Sequence, residues 1–81
     1  MPRFYFHVCN GNGFVEDEEG RELPDVENAR SAAVKDARSV MSEDLSRGFI
    51  DLASFIEVEE EYRKLLFTLT FDEAVSVKQR Q

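Results

Sequence analysis

The N-terminal segment from Arg3 to Cys9 alternates between two sets of side chains, which is the pattern of a β-strand. One set is Phe4, Phe6 and Val8, and the other is Tyr5, His7 and Cys9. Residues 10–13, Asn-Gly-Asn-Gly, tolerate positive φ and predict a tight turn, after which a hairpin returns through Phe14 and Val15. We expect the face of the first strand that carries Phe4, Phe6 and Val8 to pack in the core.

A long helix is predicted after a second turn near Gly20 and the segment Leu23-Pro24-Asp25. Pro24 favours an extended residue before it, and Asp25 can accept hydrogen bonds from the first free amides, so the helix should begin at about Val26. Apolar residues then recur at spacings of three and four up to Arg47, with Gly48 as the stop. This predicted stripe comprises Val26, Ala29, Ala33, Ala37, Val40, Met41 and Leu45. Its alanines should let the helix lie close to the bulky residues of the sheet.

The pattern of apolar and polar residues in the C-terminal half predicts two more strands. Within residues 54–61, Ile56 and Val58 alternate with Glu57 and Glu59, and residues 60–63 form the turn. In residues 65–70, Leu65, Phe67 and Leu69 alternate with Leu66, Thr68 and Thr70. This segment is more apolar, so we expect that strand to be central, followed by a short helix capped by Thr70. The predicted fold is α+β, with one long helix on one face of a mainly antiparallel sheet of three to four strands in ββ-α-ββ order. Residues 1–81 should form a single domain.

Charge narrows the classes of partner. The chain has 17 acidic and 10 basic residues and a net charge of -7, which opposes phosphate backbones and anionic lipid. The basic residues are scattered, apart from a short basic tail at residues 78–80. The apolar run Leu65-Leu66-Phe67 is far shorter than the roughly 20 residues that span a bilayer. We therefore expect neither nucleic acid nor a membrane as a partner.

The single cysteine, Cys9, cannot form an internal disulfide. The first residues, Met-Pro-Arg-Phe, lack a basic region followed by an apolar run and a small-residue cleavage site. These two features predict a cytoplasmic location.

Motifs that suggest a metal or a catalytic centre are incomplete. The glycine-bent loops at residues 10–13 and 17–20 lack the ligand spacing of a calcium loop, because Phe14 and Arg21 stand at the fifth positions. His7 and Cys9 share a strand face, but a structural zinc site needs about four ligands and the chain has no second His or Cys. We therefore expect no metal, no cofactor and no catalytic residue.

The remaining candidate surface is the outer face of the sheet, where hydrogen-bonding groups and an aromatic ring should lie together. Its predicted members are Tyr5, His7, Glu57, Glu59, Thr68 and Thr70. The ordinary alternative is a solvated polar face without a partner. We expect a partner protein or a weak homodimer to bind at this face or at a sheet edge.

Three stretches resemble a family of short, uncharacterised bacterial proteins: Pro-Arg-Phe-Tyr-Phe-His-Val at residues 2–8, Asp-Glu-Glu-Gly-Arg-Glu-Leu-Pro-Asp at residues 17–25, and Leu-Phe-Thr-Leu-Thr-Phe at residues 66–71. The resemblance implies a self-contained cytoplasmic domain and brings no catalytic residue with it. The hairpin that leads through Pro-Asp into an Ala-rich helix is also similar in topology to HicB-type antitoxins. The segment after Asp25 lacks the glycine-containing turn usual in that group.

Three functional hypotheses follow. The first is a non-enzymatic protein-interaction or regulatory module. The second is an antitoxin-like acidic protein that binds and masks a basic partner. The third is a small-ligand-binding domain or an enzyme. A basic partner released at high salt would favour the second hypothesis, and a bound metabolite would favour the third.

Overall fold

The computed structural model describes residues 1–11 and 13–79. Asn12 of the predicted turn and Arg80 of the predicted basic tail lie outside the described residues. The elements are β1 (Arg3–Asn10), β2 (Gly13–Val15), β3 (Arg21–Glu22), α1 (Val26–Ser46), β4 (Phe55–Glu60) and β5 (Lys64–Thr70), with short 3₁₀ helices at Glu61–Arg63 and Phe71–Ala74.

The strands form one antiparallel sheet in the order β2-β1-β4-β5, and β3 also pairs with β1. The predicted α+β fold is confirmed, with five strands in place of three to four. The prediction that the last strand is central is wrong, because β5 pairs with β4 and lies at the edge of the sheet. Its residues Leu66, Phe67 and Leu69 contribute to the core or pack against it, and an edge strand needs such an apolar face as much as a central one.

Helix α1 packs its alanines against the aromatic face of the sheet, as the sequence predicts. Ala29, Ala33 and Ala37 have no exposed surface, and they share one buried cluster with Phe4 and Phe6. The ends of the predicted stripe are wrong, since Val26 is 45% exposed and Leu45 is 58% exposed. Asp44 is buried in place of Leu45.

Both ends of α1 are capped as the sequence indicates. The side chain of Asp25 accepts a hydrogen bond of 2.8 Å from the amide of Asn28. At the other end Gly48 has φ +95, and the amides of Gly48 and Phe49 donate to the carbonyls of Leu45 and Asp44. This is the Schellman arrangement, in which the residue after the C-cap takes up positive φ.

A β-bulge interrupts the pairing of β4 with β5. Phe67 faces Val58, but Leu65 faces Glu59, so Leu66 is the additional residue. The bulge breaks the predicted alternation: Leu65 is 51% exposed, whereas Leu66 packs against the core. Within the described residues, no helix has both the length and the apolar character required to cross a membrane.

Candidate functional site

The loop between β2 and β3, residues 16–20, folds over an unpaired stretch of β1 and is called the acidic loop below. Strand β2 pairs with residues 8–10 of β1 and β3 pairs with residues 3–4, which leaves the stretch between them without a strand partner on that side. Asp17 fills this gap, because its Oδ2 accepts the amide of Phe6 at 3.0 Å and its Oδ1 accepts the amide of Gly20 at 3.0 Å. One carboxylate therefore closes its own loop and satisfies a main-chain donor of β1.

Gly20 allows this loop to lie close to β1. Its φ is +71, and a Cβ at this position would lie 2.8 Å from the carbonyl oxygen of Phe4 and 2.9 Å from Cε2 of Tyr5. A side chain would be strained and would clash with the main chain of β1. The Asp-Glu-Glu-Gly sequence is thus a structural unit in which the first and last residues have defined contacts.

His7 is 3% exposed beneath the same loop. Its Nδ1 accepts the amide of Asp17 at 3.0 Å, so Nε2 carries the proton of the neutral ring and donates to Oε1 of Glu59 at 2.8 Å. The ring of Phe14 lies beside it, with 5.7 Å between ring centroids. Because both ring nitrogens are engaged, His7 fixes the loop to the sheet and has no free nitrogen for a substrate or a metal.

Two opposing effects act on the pKa of Asp17. Partial burial acts to raise it, but the amides of Phe6, Gly20 and Glu19 and the positive charge of Arg21 together outweigh burial and lower the pKa. The loop therefore holds Asp17 as a carboxylate.

A cleft of about 280 Å³ opens on the outer face of the sheet. It lies between the acidic loop and the connection from β4 to β5, and its lining residues are Tyr5, His7, Glu16, Asp17, Glu18, Tyr62 and Arg63. Glu16 and Arg63 form an ion pair of 2.8 Å at its mouth, and this pair raises the pKa of Arg63.

Tyr62 stands at the rim of the cleft in an unusual backbone conformation. Tyr62 and Arg63 have φ of 66 and 59, values that residues with side chains adopt at a cost of about 1–3 kcal/mol each. The side chain of Tyr62 is 97% exposed, so burial in the monomer does not offset this cost. Residues with backbone strain of this kind cluster at active sites, ligand clamps and switch regions.

The structure places five of the six predicted surface residues in one connected patch on the sheet, but one of them, His7, is buried beneath the acidic loop and not exposed as predicted. Tyr5 pairs with Glu59, His7 with Glu57, and Glu57 with Thr68 across neighbouring strands. Tyr5 and His7 line the cleft, whereas Glu57 and Thr68 do not.

Thr70 has another role. It pairs with Phe55, and its amide and hydroxyl both bond to Oε1 of Glu73, at 3.0 Å and 2.7 Å, at the start of the last 3₁₀ helix. This agrees with the predicted cap and leaves Thr70 at the end of the patch.

Sequence analysis missed the residues that form the walls of the cleft. The sequence predicts only a loop and a turn for the segments that contain Glu16, Glu18 and Tyr62. The signal present in the sequence was a run of acids on one loop and an aromatic residue in a charged turn, but nothing in it shows that the two meet. Among the described residues, no cluster of three or more His, Cys, Asp or Glu side chains is arranged to hold a metal ion.

Comparison with known proteins identifies the family of this chain. The model of a family described as "Domain of unknown function (DUF6894)" matches residues 3–72, which include β1, the acidic loop, α1, β4 and β5. Neither a curated protein nor a solved structure matches the chain.

Proposed function

The chain belongs to the DUF6894 family of domains of unknown function, and we propose that it is a non-enzymatic protein-interaction module whose outer cleft binds a basic side chain of a partner protein. The observation that carries this proposal is the composition of the cleft, in which acidic residues of one loop face an exposed tyrosine across a floor formed by Tyr5. Its chemistry and its size both support this class of ligand.

The charge of the cleft favours a cation. Asp17 is held as a carboxylate, and Glu18 is exposed beside it. Arg63 is paired with Glu16, so its charge is largely compensated. The net charge of -7 adds a long-range attraction for basic proteins and opposes nucleic acid.

The two tyrosines add a second form of recognition. An arginine or lysine placed over an aromatic ring gains about 0.5–1 kcal/mol at an exposed site. Tyr62 at the rim and Tyr5 at the floor are the only tyrosines of the chain, and both line the cleft.

The size of the cleft supports a side chain over a whole cofactor. Its volume of about 280 Å³ is at the lower limit of the range of about 300–1,000 Å³ that is usual for small-molecule sites. The one histidine on its floor has both ring nitrogens engaged, which leaves the cleft without a general base of that type. An acidic protein that masks a basic partner, as antitoxin-like proteins do, would use the same chemistry.

Nuclear magnetic resonance titration tests this proposal. The probe is the blocked tripeptide acetyl-Gly-Arg-Gly-amide, with acetyl-Gly-Glu-Gly-amide as the control ligand. We expect the arginine peptide to shift amide resonances of the acidic loop and of residues 62–63, and the shifts to shrink at high salt. Tyr62→Ala and Glu18→Gln should each weaken binding, whereas Glu43→Gln on the exposed surface of α1 should not.

Two results would contradict the proposal. One is equal shifts with the glutamate peptide, and the other is binding that is unchanged in Tyr62→Ala and Glu18→Gln.

Affinity purification from host lysate, followed by elution with a salt gradient, would identify the partner. A partner that is retained through the cleft should be basic and should elute from the wild type at higher salt than from Glu18→Gln.

A further inference from the structure

Basic residues that form no ion pair lie together on one side of α1. Of the basic residues that the structure describes, Arg30, Lys35, Arg38 and Lys78 have no carboxylate within ion-pair distance. The first three are exposed and line an open depression of about 650 Å³, which is called the basic flank below. Its other lining residues are Glu27, Ser31 and Val34. The helix thus brings together cations that are scattered in the sequence.

Both arginines of the basic flank are held by uncharged groups. The guanidinium carbon of Arg30 lies 4.3 Å from the ring centroid of Phe67 on β5. The Nε of Arg38 donates a hydrogen bond of 2.8 Å to the carbonyl of Ala74. Neither contact neutralises the positive charge. Because each side chain is already ordered, it loses less conformational entropy when it binds a ligand.

The nearby acidic residues leave the basic flank positively charged. Among the described residues that line it, Glu27 is acidic and three are basic. Glu73 interacts mainly with Thr70, whose amide and hydroxyl bond to its Oε1 at 3.0 Å and 2.7 Å. These hydrogen bonds are the chief cause of the lowered pKa of Glu73, and the charge of Arg30 adds a smaller contribution. A ligand of the basic flank should therefore be an anion.

The spacing of the two arginines indicates a ligand with two separated carboxylates. Arg38 follows Arg30 by eight residues of α1, which corresponds to about 12 Å along the helix axis. An extended peptide advances by about 13 Å over four residues. Carboxylates at positions i and i+4 of an extended segment therefore match the arginines, and Lys35 lies between the two along the helix. Planar guanidinium groups bind carboxylates through two parallel hydrogen bonds.

We propose that the basic flank binds an acidic segment of a partner protein through Arg30, Lys35 and Arg38. The proposal is independent of the cleft, since none of the residues that line the cleft lies on α1. Nucleic acid is disfavoured, because the net charge of -7 repels a long polyanion. A short acidic segment carries fewer charges and is repelled less.

The acidic loop of a second copy fits the basic flank less well than a segment of another protein. Asp17 already accepts two main-chain amides, and Glu16 forms an ion pair with Arg63. These carboxylates would have to leave their present partners before they could bind another copy. We therefore expect no self-association through this surface.

Nuclear magnetic resonance titration of the full chain tests the proposal. The probe is the blocked pentapeptide acetyl-Glu-Ser-Gly-Ser-Glu-amide, with acetyl-Gln-Ser-Gly-Ser-Gln-amide as the control ligand. We expect the glutamate peptide to shift amide resonances of residues 30–38 more than those of residues 16–20 and 62–63, and the shifts to shrink at high salt. A thymidine trinucleotide also carries two negative charges. It should bind more weakly, because its neighbouring phosphates are closer together than the two arginines.

Variants identify the residues that bind. Lys35→Gln and Arg38→Gln should each weaken binding about twofold to fivefold, the range for an exposed ion pair. Glu27→Gln removes a negative charge from the basic flank and should strengthen binding by a similar factor. Arg47→Gln is the matched control, because Arg47 follows the same helix, is exposed and pairs with Asp44 at 3.6 Å. It makes the same change in net charge and should leave binding unchanged. Circular dichroism melts of each variant monitor the fold.

The following results would overturn the proposal. One is equal shifts with the glutamine peptide, and another is unchanged binding in folded Lys35→Gln and Arg38→Gln. A trinucleotide that binds as tightly as the glutamate peptide would indicate a phosphate-binding surface instead. Self-association of the wild type that Lys35→Gln abolishes would show that a second copy is the occupant. None of these measurements involves Tyr62 or Glu18, so failure here is distinct from failure of the cleft to bind a cation.

Discussion

Replacing Gly20 by alanine tests whether the acidic loop depends on close contact with β1. Two effects act together at this position. The φ of +71 places an alanine in the left-handed region, at a cost of about 1–2 kcal/mol. The added Cβ would also lie 2.8 Å from the carbonyl oxygen of Phe4, and overpacking of this kind costs about 1–3 kcal/mol. We therefore expect Gly20→Ala to lower the free energy of unfolding by about 2–5 kcal/mol.

Gly48 provides the matched control. It also has positive φ, +95, but a Cβ there would meet nothing within 4 Å. Gly48→Ala should therefore show only the cost of strain, about 1–2 kcal/mol. The difference between the two variants isolates the contact between the loop and β1.

Urea denaturation followed by circular dichroism at 222 nm measures both variants. For a domain of this size, each 1 kcal/mol corresponds to about 4–8 °C in Tm, so the extra loss in Gly20→Ala should be visible in thermal melts as well. Equal losses of stability in the two variants would refute the argument, because they would show that the loop can move away from β1 without cost.

Three further predictions concern the core, the helix cap and the acidic loop. Phe6 is 5% exposed, so Phe6→Ala should cost about 3–5 kcal/mol in urea denaturation; midpoints that overlap with the wild type would contradict a contribution of Phe6 to the core. Asp25→Ala removes the N-cap bond to Asn28 and should cost about 1 kcal/mol, whereas Asp25→Asn should retain most of the cap; equal losses in both would contradict a capping role. The pKa of Asp17 in the folded protein lies below its ordinary value of 3.8, so its contribution to stability is complete above that value and is lost as the pH falls through the lower folded pKa. Urea denaturation between pH 2 and 6 should show this loss of stability. Asp17→Asn should reduce the slope of the free energy of unfolding against pH, and an unchanged slope would contradict the lowered pKa of Asp17.

The amino-acid sequence alone determined the local structure of this protein. The alternation of Phe4 with Tyr5, the Pro24-Asp25 pair before the alanine stripe, and Gly48 at its end predicted a strand, a helix start and a helix stop, which are all present. These features follow from backbone geometry and from hydrogen bonds between neighbouring residues, so a short stretch of sequence contains the whole cause.

The features that depend on distant residues were decided by the tertiary structure. The alternation of residues 65–70 predicts a strand, but its place at the edge depends on which strands pair with β4, and periodicity does not specify that order. The bulge that exposes Leu65 arises from its pairing with Glu59 and cannot be seen in either strand alone.

The candidate site shows the same division. The sequence predicted a face with Tyr5 and His7, but the contact of Asp17 with Phe6 and His7 spans about ten residues and turns this face into the floor of a cleft. Tyr62 reaches the rim through two consecutive residues with positive φ, a conformation that its residue type does not favour. Local preference could not predict it, because positive φ is unfavourable for a residue with a side chain and the sequence around Tyr62 contains no glycine that would indicate it.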